Sequence, residues 1–223
     1  MTEQPLSLVV LVSGSGSNLQ AIIEAIDAGL PARIEVVISN RPQALALTRA
    51  ASRNIPTRVI DHRECTSRDE FDARLDSLLS ELDPQLVVLA GFMRILGDPL
   101  VRRWHGRMLN IHPSLLPDYR GLQTHRRVLE AGEQWHGCSV HYVTAELDGG
   151  PVIARARLEV HGNDDEASLK SRVHDCEHVL YPTVIDWIAR GRLTLADDTP
   201  MLDNKPLRQA LTFEAPQLME AAS

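Results

Sequence analysis

The chain has 223 residues, 43% of them hydrophobic and 24% charged, enough apolar residues for one large domain to build its own core. A net charge of -7 excludes a nucleic-acid footprint spread over the whole surface. Three cysteines (Cys65, Cys138, Cys176) with no CxxC exclude a disulfide framework and a zinc knuckle, and no apolar run approaches the ~18 residues of a membrane span. The start, Met1-Thr2-Glu3-Gln4-Pro5, lacks the basic segment of a secretion signal, so the expectation is a cytoplasmic protein without membrane contact.

Leu6–Val12 is a short apolar run, predicted as a strand, followed by the turn Ser13-Gly14-Ser15-Gly16-Ser17-Asn18 and a helix carrying Leu19, Ile22, Ile23 and Ile26. Ser17 with Gln20 reads as a capping box at the helix start, and Gly29-Leu30-Pro31 stops the helix. The unit repeats. Ile34–Ile38 reads as a strand, Pro42–Arg53 as a helix and Thr57–Ile60 as a short strand. Ser67 with Glu70 then caps a helix carrying Phe71, Leu75, Leu78, Leu79 and Leu82. Leu86–Ala90 is continuously apolar, as a strand covered on both faces should be, and Met108–Ile111 is the next strand. Cys138–Val143 and Val152–Val160 read as an antiparallel pair about the turn Asp148-Gly149-Gly150-Pro151. A helix from about Asp165 to Ala189 follows, with Pro182 expected to kink or break it. The tail, about 196–223, is weakly patterned, with one edge strand expected around Met201-Leu202.

Alternating strands and helices imply an α/β fold, a single-domain doubly wound mainly parallel sheet over 1–223 with an antiparallel C-terminal portion. In such sheets ligands bind beyond the carboxyl ends of the strands. Ser13–Asn18, Gly91–Leu96 and Asn110–Pro117 each follow a predicted strand.

Asn110-Ile111-His112-Pro113 carries the most chemistry. In an extended segment residues i and i+2 share a face, and Pro113 biases His112 toward extended geometry, so an amide donor and an imidazole can flank one reacting carbon. Leu116-Pro117, in a tight reversal beside this strand end, is a candidate cis bond. The Ser13–Asn18 turn is neither a Walker loop nor a dinucleotide fingerprint, because no Gly-Lys-Ser/Thr follows and Leu19 stands at the third glycine position. It still exposes backbone N–H groups at a helix start, a seat for one phosphate. From Arg94 to Arg127 seven arginines face two aspartates, which suits an anionic small molecule. Asp148 supports two readings, an Asx-turn former or a carboxylate that keeps His112 charged. His174-Asp175-Cys176-Glu177-His178 matches H-x-x-E-H, so a zinc hydrolase using His174, Glu177 and His178 is the rival hypothesis. Glu177, four residues after Val173, also suits a carboxylate that pairs with an amine.

Taken together these residues resemble the phosphoribosylglycinamide formyltransferase family. The resemblance runs from about Leu6 to Leu195 and is carried by Ser13–Gln20, Leu89–Leu96, Asn110–Pro117 and Glu146–Pro151. It implies a formyltransferase-type Rossmann-like fold and transfer of a formyl group from 10-formyltetrahydrofolate to glycinamide ribonucleotide in purine biosynthesis. On this resemblance Asn110, His112 and Asp148 are the catalytic set, and Gly16, Ser17 and Asn18 hold the substrate phosphate. His174, Asp175, Cys176 and Glu177 meet the substrate amine and ribose. The folate contacts are Arg68, Met93, Arg94, Ile95, Leu96, Asn110, Thr144, Ala145, Glu146, Leu147 and Asp148. No metal is required, the partners are small molecules rather than nucleic acid, and a monomer or homodimer is expected. Two departures stand out. Gln123 occupies a position where the family pattern has a histidine, and Arg120-Gly121 after Tyr119 is similar to the loop of methionyl-tRNA formyltransferases. Those enzymes carry an additional C-terminal domain, for which 223 residues leave no room.

Overall fold

The structure, a computed structural model, describes residues 4–215. The strands are β1 (Leu6–Val12), β2 (Ala32–Ser39), β3 (Thr57–Val59), β4 (Leu86–Leu89), β5 (Met108–His112), β6 (Trp135–Tyr142), β7 (Val152–Glu159), β8 (Leu193–Ala196), β9 (Thr199–Leu202), β10 (Lys205–Pro206) and β11 (Leu211–Glu214). The helices are α1 (Ser17–Asp27), α2 (Leu45–Ser52), α3 (Arg68–Leu82), α4 (Asp98–Arg103), α5 (Thr124–Ala131) and α6 (Glu166–Ala189). This is a mixed α/β fold whose main sheet is mostly parallel. Contacts divide the chain into two compact units. One runs to Asn110 and takes in Val143–Ala145, and the other comprises Ile111–Tyr142 and the residues from Glu146 onward.

In the first unit the strands follow the order β3-β2-β1-β4-β5, all parallel. Val9 and Leu11 of β1 and Val87 and Leu89 of β4 pack with Phe71, Leu75 and Leu79 of α3 and with Leu100, Val101 and Trp104. The alternate residues Leu8 and Val10 are fully buried as well, so β1 is covered on both faces. Each such side chain contributes about 1.5–3 kcal/mol on leaving water.

Two local expectations change in this unit. The first residue of α1 is Ser17, and its N-cap is Gly16 in the left-handed region at φ 73°, with no side-chain cap. A Cβ at Gly16 would lie 2.6 Å from the Ala46 Cβ, so close approach of α2 decides the residue and the expected Ser17–Gln20 capping box does not form. The second helix begins at Leu45 rather than Pro42, because Ala44 N–H bonds to the Arg41 carbonyl and closes a turn with Pro42 at its second position. Ser67 does cap α3, accepting from Glu70 N–H, while the Glu70 carboxylate turns to Thr66 and Arg74.

In the second unit β6 and β7 are antiparallel and β11 lies parallel along β7, Leu211 opposite Ala154 and Glu214 opposite Arg157. Asp165 caps α6 in a full capping box with Ser168, and the helix runs unbroken through Pro182. Leu180, Tyr181, Val184 and Ile185 around the proline are completely buried, and that packing offsets the lost backbone bond. The described part of the tail, up to residue 215, is more regular than its composition suggests, and residues 216–223 lie outside the described residues. Strands β8, β9 and β10 form a small antiparallel sheet joined by two-residue turns, Asp197-Asp198 and Asp203-Asn204, all four residues at positive φ. Asp and Asn tolerate that conformation, and this is the signal the sequence reading missed.

Candidate active site

The loop after β1 is organised by one buried hydroxyl. Ser13 Oγ donates to Asn40 Oδ1 at 2.6 Å and accepts from Met93 N–H at 2.8 Å, so it ties together the segments that follow β1, β2 and β4. Beyond it the left-handed Gly16 turns the N–H groups of the first residues of α1 outward, with Ser17 half-buried and Asn18 buried. Arg49 Nε donates to the Ser15 carbonyl at 2.9 Å and brings a cation to the same loop. Arg49 was missed in sequence because it comes from the next helix rather than from the motif.

The loop after β4 exposes two large apolar side chains, Met93 at 64% and Ile95 at 54%. Arg94 stacks over the Phe71 ring at 4.5 Å, and Arg68 is exposed in the first turn of α3. Asp72, buried on α3, accepts Gly97 N–H at 2.7 Å and anchors the far end of this loop. Burial raises the Asp72 pKa against the lowering effect of that bond and of the Arg68 and Arg94 charges. Thr144 is half-buried and Ala145 exposed, while Val143 N–H bonds to the Met108 carbonyl beside β5. Asn110 pairs in register with Leu89.

His112 follows Asn110 by two residues on β5, the spacing that puts both side chains on one face of the strand. The residue is buried, with its side chain 8% exposed. Nε2 donates to the Tyr119 carbonyl at 3.0 Å and Nδ1 lies 3.4 Å from Asp148 Oδ2, so both ring nitrogens face acceptors. Only the imidazolium offers a proton to each. Asp148 Oδ2 also accepts Gly121 N–H at 2.9 Å, which fixes the carboxylate. Arg120 ion-pairs with Glu146, Leu147 is 47% exposed, and the Glu146 side chain lies over Gly149, where a Cβ would come within 2.5 Å of it. The loop carrying Tyr119 is held by Ser139, whose Oγ donates to the Ser114 carbonyl at 2.7 Å and accepts Leu116 N–H at 3.0 Å, and the Leu116-Pro117 bond is cis.

His141 also approaches this carboxylate: its Nε2 lies 3.9 Å from Asp148 Oδ1 while its Nδ1 donates to the Tyr142 carbonyl. Register on β6 decides this, and sequence separation does not show it. Burial pulls the His141 pKa down, so a neutral ring flanks the carboxylate.

On α6 the ring of His174 stacks with that of His178 at 6.1 Å, Asp175 is exposed, and Cys176 and Glu177 are buried. Burial, together with repulsion from the Glu177 and Cys176 side chains, raises the Cys138 thiol pKa well above its ordinary value. Among the described residues no three His, Cys, Asp or Glu side chains are placed to hold a metal ion. The H-x-x-E-H spacing is therefore met in sequence while the described residues do not assemble the ligand set a zinc site needs.

A formyl transferase family model matches residues 6–185. The chain belongs to the formyl transferase family. The phosphoribosylglycinamide formyltransferase of Escherichia coli strain K12 is 46% identical over 203 residues, covering 91% of this chain and 96% of that protein. The enzyme of that name from Haemophilus influenzae is 42% identical, covering 90% and 95%. A solved phosphoribosylglycinamide formyltransferase from Coxiella burnetii superposes with a TM-score of 0.90 at 52% identity, covering 94% of this chain and 99% of that one. In this formyl transferase the loops after β1, β4 and β5 are those the doubly wound fold puts at strand carboxyl ends.

Proposed function

We propose that this formyl transferase moves the formyl group of 10-formyltetrahydrofolate onto the amine of glycinamide ribonucleotide, a step of purine biosynthesis. The observation that carries this reading is the His112 ring, fixed between the Tyr119 carbonyl and the Asp148 carboxylate two residues after Asn110 on one strand.

The folate supplies the electrophilic formyl carbon, and the neutral substrate amine attacks it. Asn110 and the His112 imidazolium donate to the oxygen that gains charge, roughly 2.7–4 kcal/mol per well-placed donor. The Nε2 proton is held by Tyr119, so the Nδ1 edge, at ion-pair distance from Asp148, is the one available to the reaction. Asp148 accepts, through water, the proton released by the attacking nitrogen and returns it to folate N10 as the C–N10 bond breaks. The N–H groups at Gly16, Ser17 and Asn18 receive the phosphate, with Arg49 adding charge. The segment His174, Asp175, Cys176 and Glu177 meets the amine and ribose. Folate lies against Arg68, Met93, Arg94, Ile95 and Leu96 and the turn Thr144, Ala145, Glu146, Leu147 and Asp148. Exposed Met93, Ile95 and Leu147 suit the flat apolar part of such a ligand.

The test mixes purified full-length protein with both substrates and follows tetrahydrofolate and formylated ribonucleotide together. Equal amounts of the two products are expected. Release of formate without formylated ribonucleotide, or formylation of methionyl-tRNA in its place, overturns the assignment.

A further inference from the structure

The second unit contains a cavity of about 680 Å³ that none of the residues above uses. Its lining includes Arg155 of β7, Arg208, Thr199, Pro151, Leu207 and the carboxylate-bearing Asp198. The two arginines set it apart. Arg157, Arg172, Arg190 and Arg192 of the same unit are each ion-paired, to Glu214, Asp164, Asp186 and Asp203. Arg155 and Arg208 form no ion pair among the described residues, and Arg155 Nε is buried without a hydrogen-bond partner. A buried guanidinium N–H with nothing to donate to is costly, so the fold tolerates at Arg155 a group whose partner comes from outside the chain. Burial draws the Arg155 pKa down and the attraction of Asp118 opposes it.

We propose that this cavity is a second ligand site, taking the phosphate of a small phosphorylated molecule on Arg155 and Arg208 and its organic part against Pro151 and Leu207. Two guanidinium forks match a dianionic phosphomonoester, and the volume lies in the range of small-molecule sites. Ala210 and Thr212, at the start of β11, complete the wall, and β11 pairs Leu211 with Ala154 and Glu214 with Arg157 along β7.

The experiment titrates the full-length protein with ribose 5-phosphate and separately with inorganic phosphate, observing the arginine Nε–Hε signals by NMR. The Arg155 signal should shift saturably, with ribose 5-phosphate binding more tightly than inorganic phosphate. R155Q and R208Q should each weaken ribose 5-phosphate binding by about tenfold or more and leave formyl-transfer kcat unchanged. The Arg155 shift should persist in Ser17→Asp, which separates this cavity from the loop after β1. An Arg155 signal that neither anion moves in the wild type overturns the proposal whether or not the variants fold. Equal affinity for the two anions overturns the role given to the apolar wall. An Arg155 signal that moves on deletion of residues 216–223, and only then responds to phosphate, assigns the cavity to the chain's own carboxylates instead.

Discussion

His112 and Asp148 meet with the imidazole Nδ1 3.4 Å from the carboxylate while the opposite nitrogen is already committed to the Tyr119 carbonyl. Neither neutral tautomer can satisfy both sides, so the pair works as a unit. Asp148→Asn and His112→Ala should each lower kcat by roughly a hundredfold to a thousandfold with much smaller changes in KM, and the double variant should be little worse than either. Steady-state kinetics of the four proteins decides it, since losses that multiply would mean independent roles. His141→Gln should also lower kcat, because the ring stands against the other oxygen of Asp148.

Gly16→Ala should damage both stability and substrate binding. The new Cβ must sit at φ 73° and within 2.6 Å of the Ala46 Cβ. A left-handed non-glycine residue alone costs about 1–2 kcal/mol, before the clash is counted. The thermal midpoint should fall, and KM for the ribonucleotide should rise far more than KM for the folate. Equal changes in both would remove the phosphate from this loop.

Asp72 offers a test of loop anchoring at a distance from the reacting atoms. Asp72→Ala leaves Gly97 N–H without its acceptor and should cost about 1–3 kcal/mol of stability, whereas Asp72→Asn keeps an acceptor and should cost less. If Asp72 positions the loop from Gly91 to Leu96, the alanine variant raises KM for the folate with little change in kcat, and the asparagine variant restores it. Because burial raises the Asp72 pKa, the folded state favours its protonated form. Its contribution to stability is therefore largest at low pH and declines as pH rises through the folded value.

His125 and His136 form a buried hydrogen-bonded pair, Nδ1 to Nε2 at 2.9 Å, with rings edge to face. One ring must donate and the other accept. Burial holds His125 down to about 4 and His136 down to about 3, so the unfolded chain binds more protons than the folded one below the ordinary histidine range. Stability from the pair is present above pH ~6.5 and is lost as pH falls through about 4 and then about 3. Denaturant titrations at successive pH values should show this slope in the wild type and a flatter one in His136→Phe. An unchanged slope would place the acid sensitivity elsewhere.

How much of this was legible in the sequence follows from whether local or distant atoms decide each feature. β1 was read to its ends, Leu6–Val12, because a strand buried on both faces leaves an uninterrupted apolar run. Asn110 and His112 stand two residues apart on one strand as their spacing predicts, because strand periodicity is local. The N-cap of α1 was misread because Ala46, from another helix, determines what fits at position 16. Pro182 kept its helix because burial on all sides outweighs a local rule. His141 and Arg49 reach the site regions through strand register and helix packing, and no spacing in the chain reports either.

The Ser13 hydroxyl, shared between Asn40 and the Met93 backbone, makes the loop after β1, proposed for the phosphate, and the loop after β4, proposed for the folate, thermodynamically dependent on each other. A ligand that stills one loop has already met part of the ordering cost of the other, so the two substrates should bind with positive cooperativity and no change of shape. By reciprocity the folate must tighten the ribonucleotide by the same factor that the ribonucleotide tightens the folate. Ser13→Ala would make the two affinities additive, and an oxygen of one small side chain would then account for the synergy between two distant halves of a bisubstrate complex.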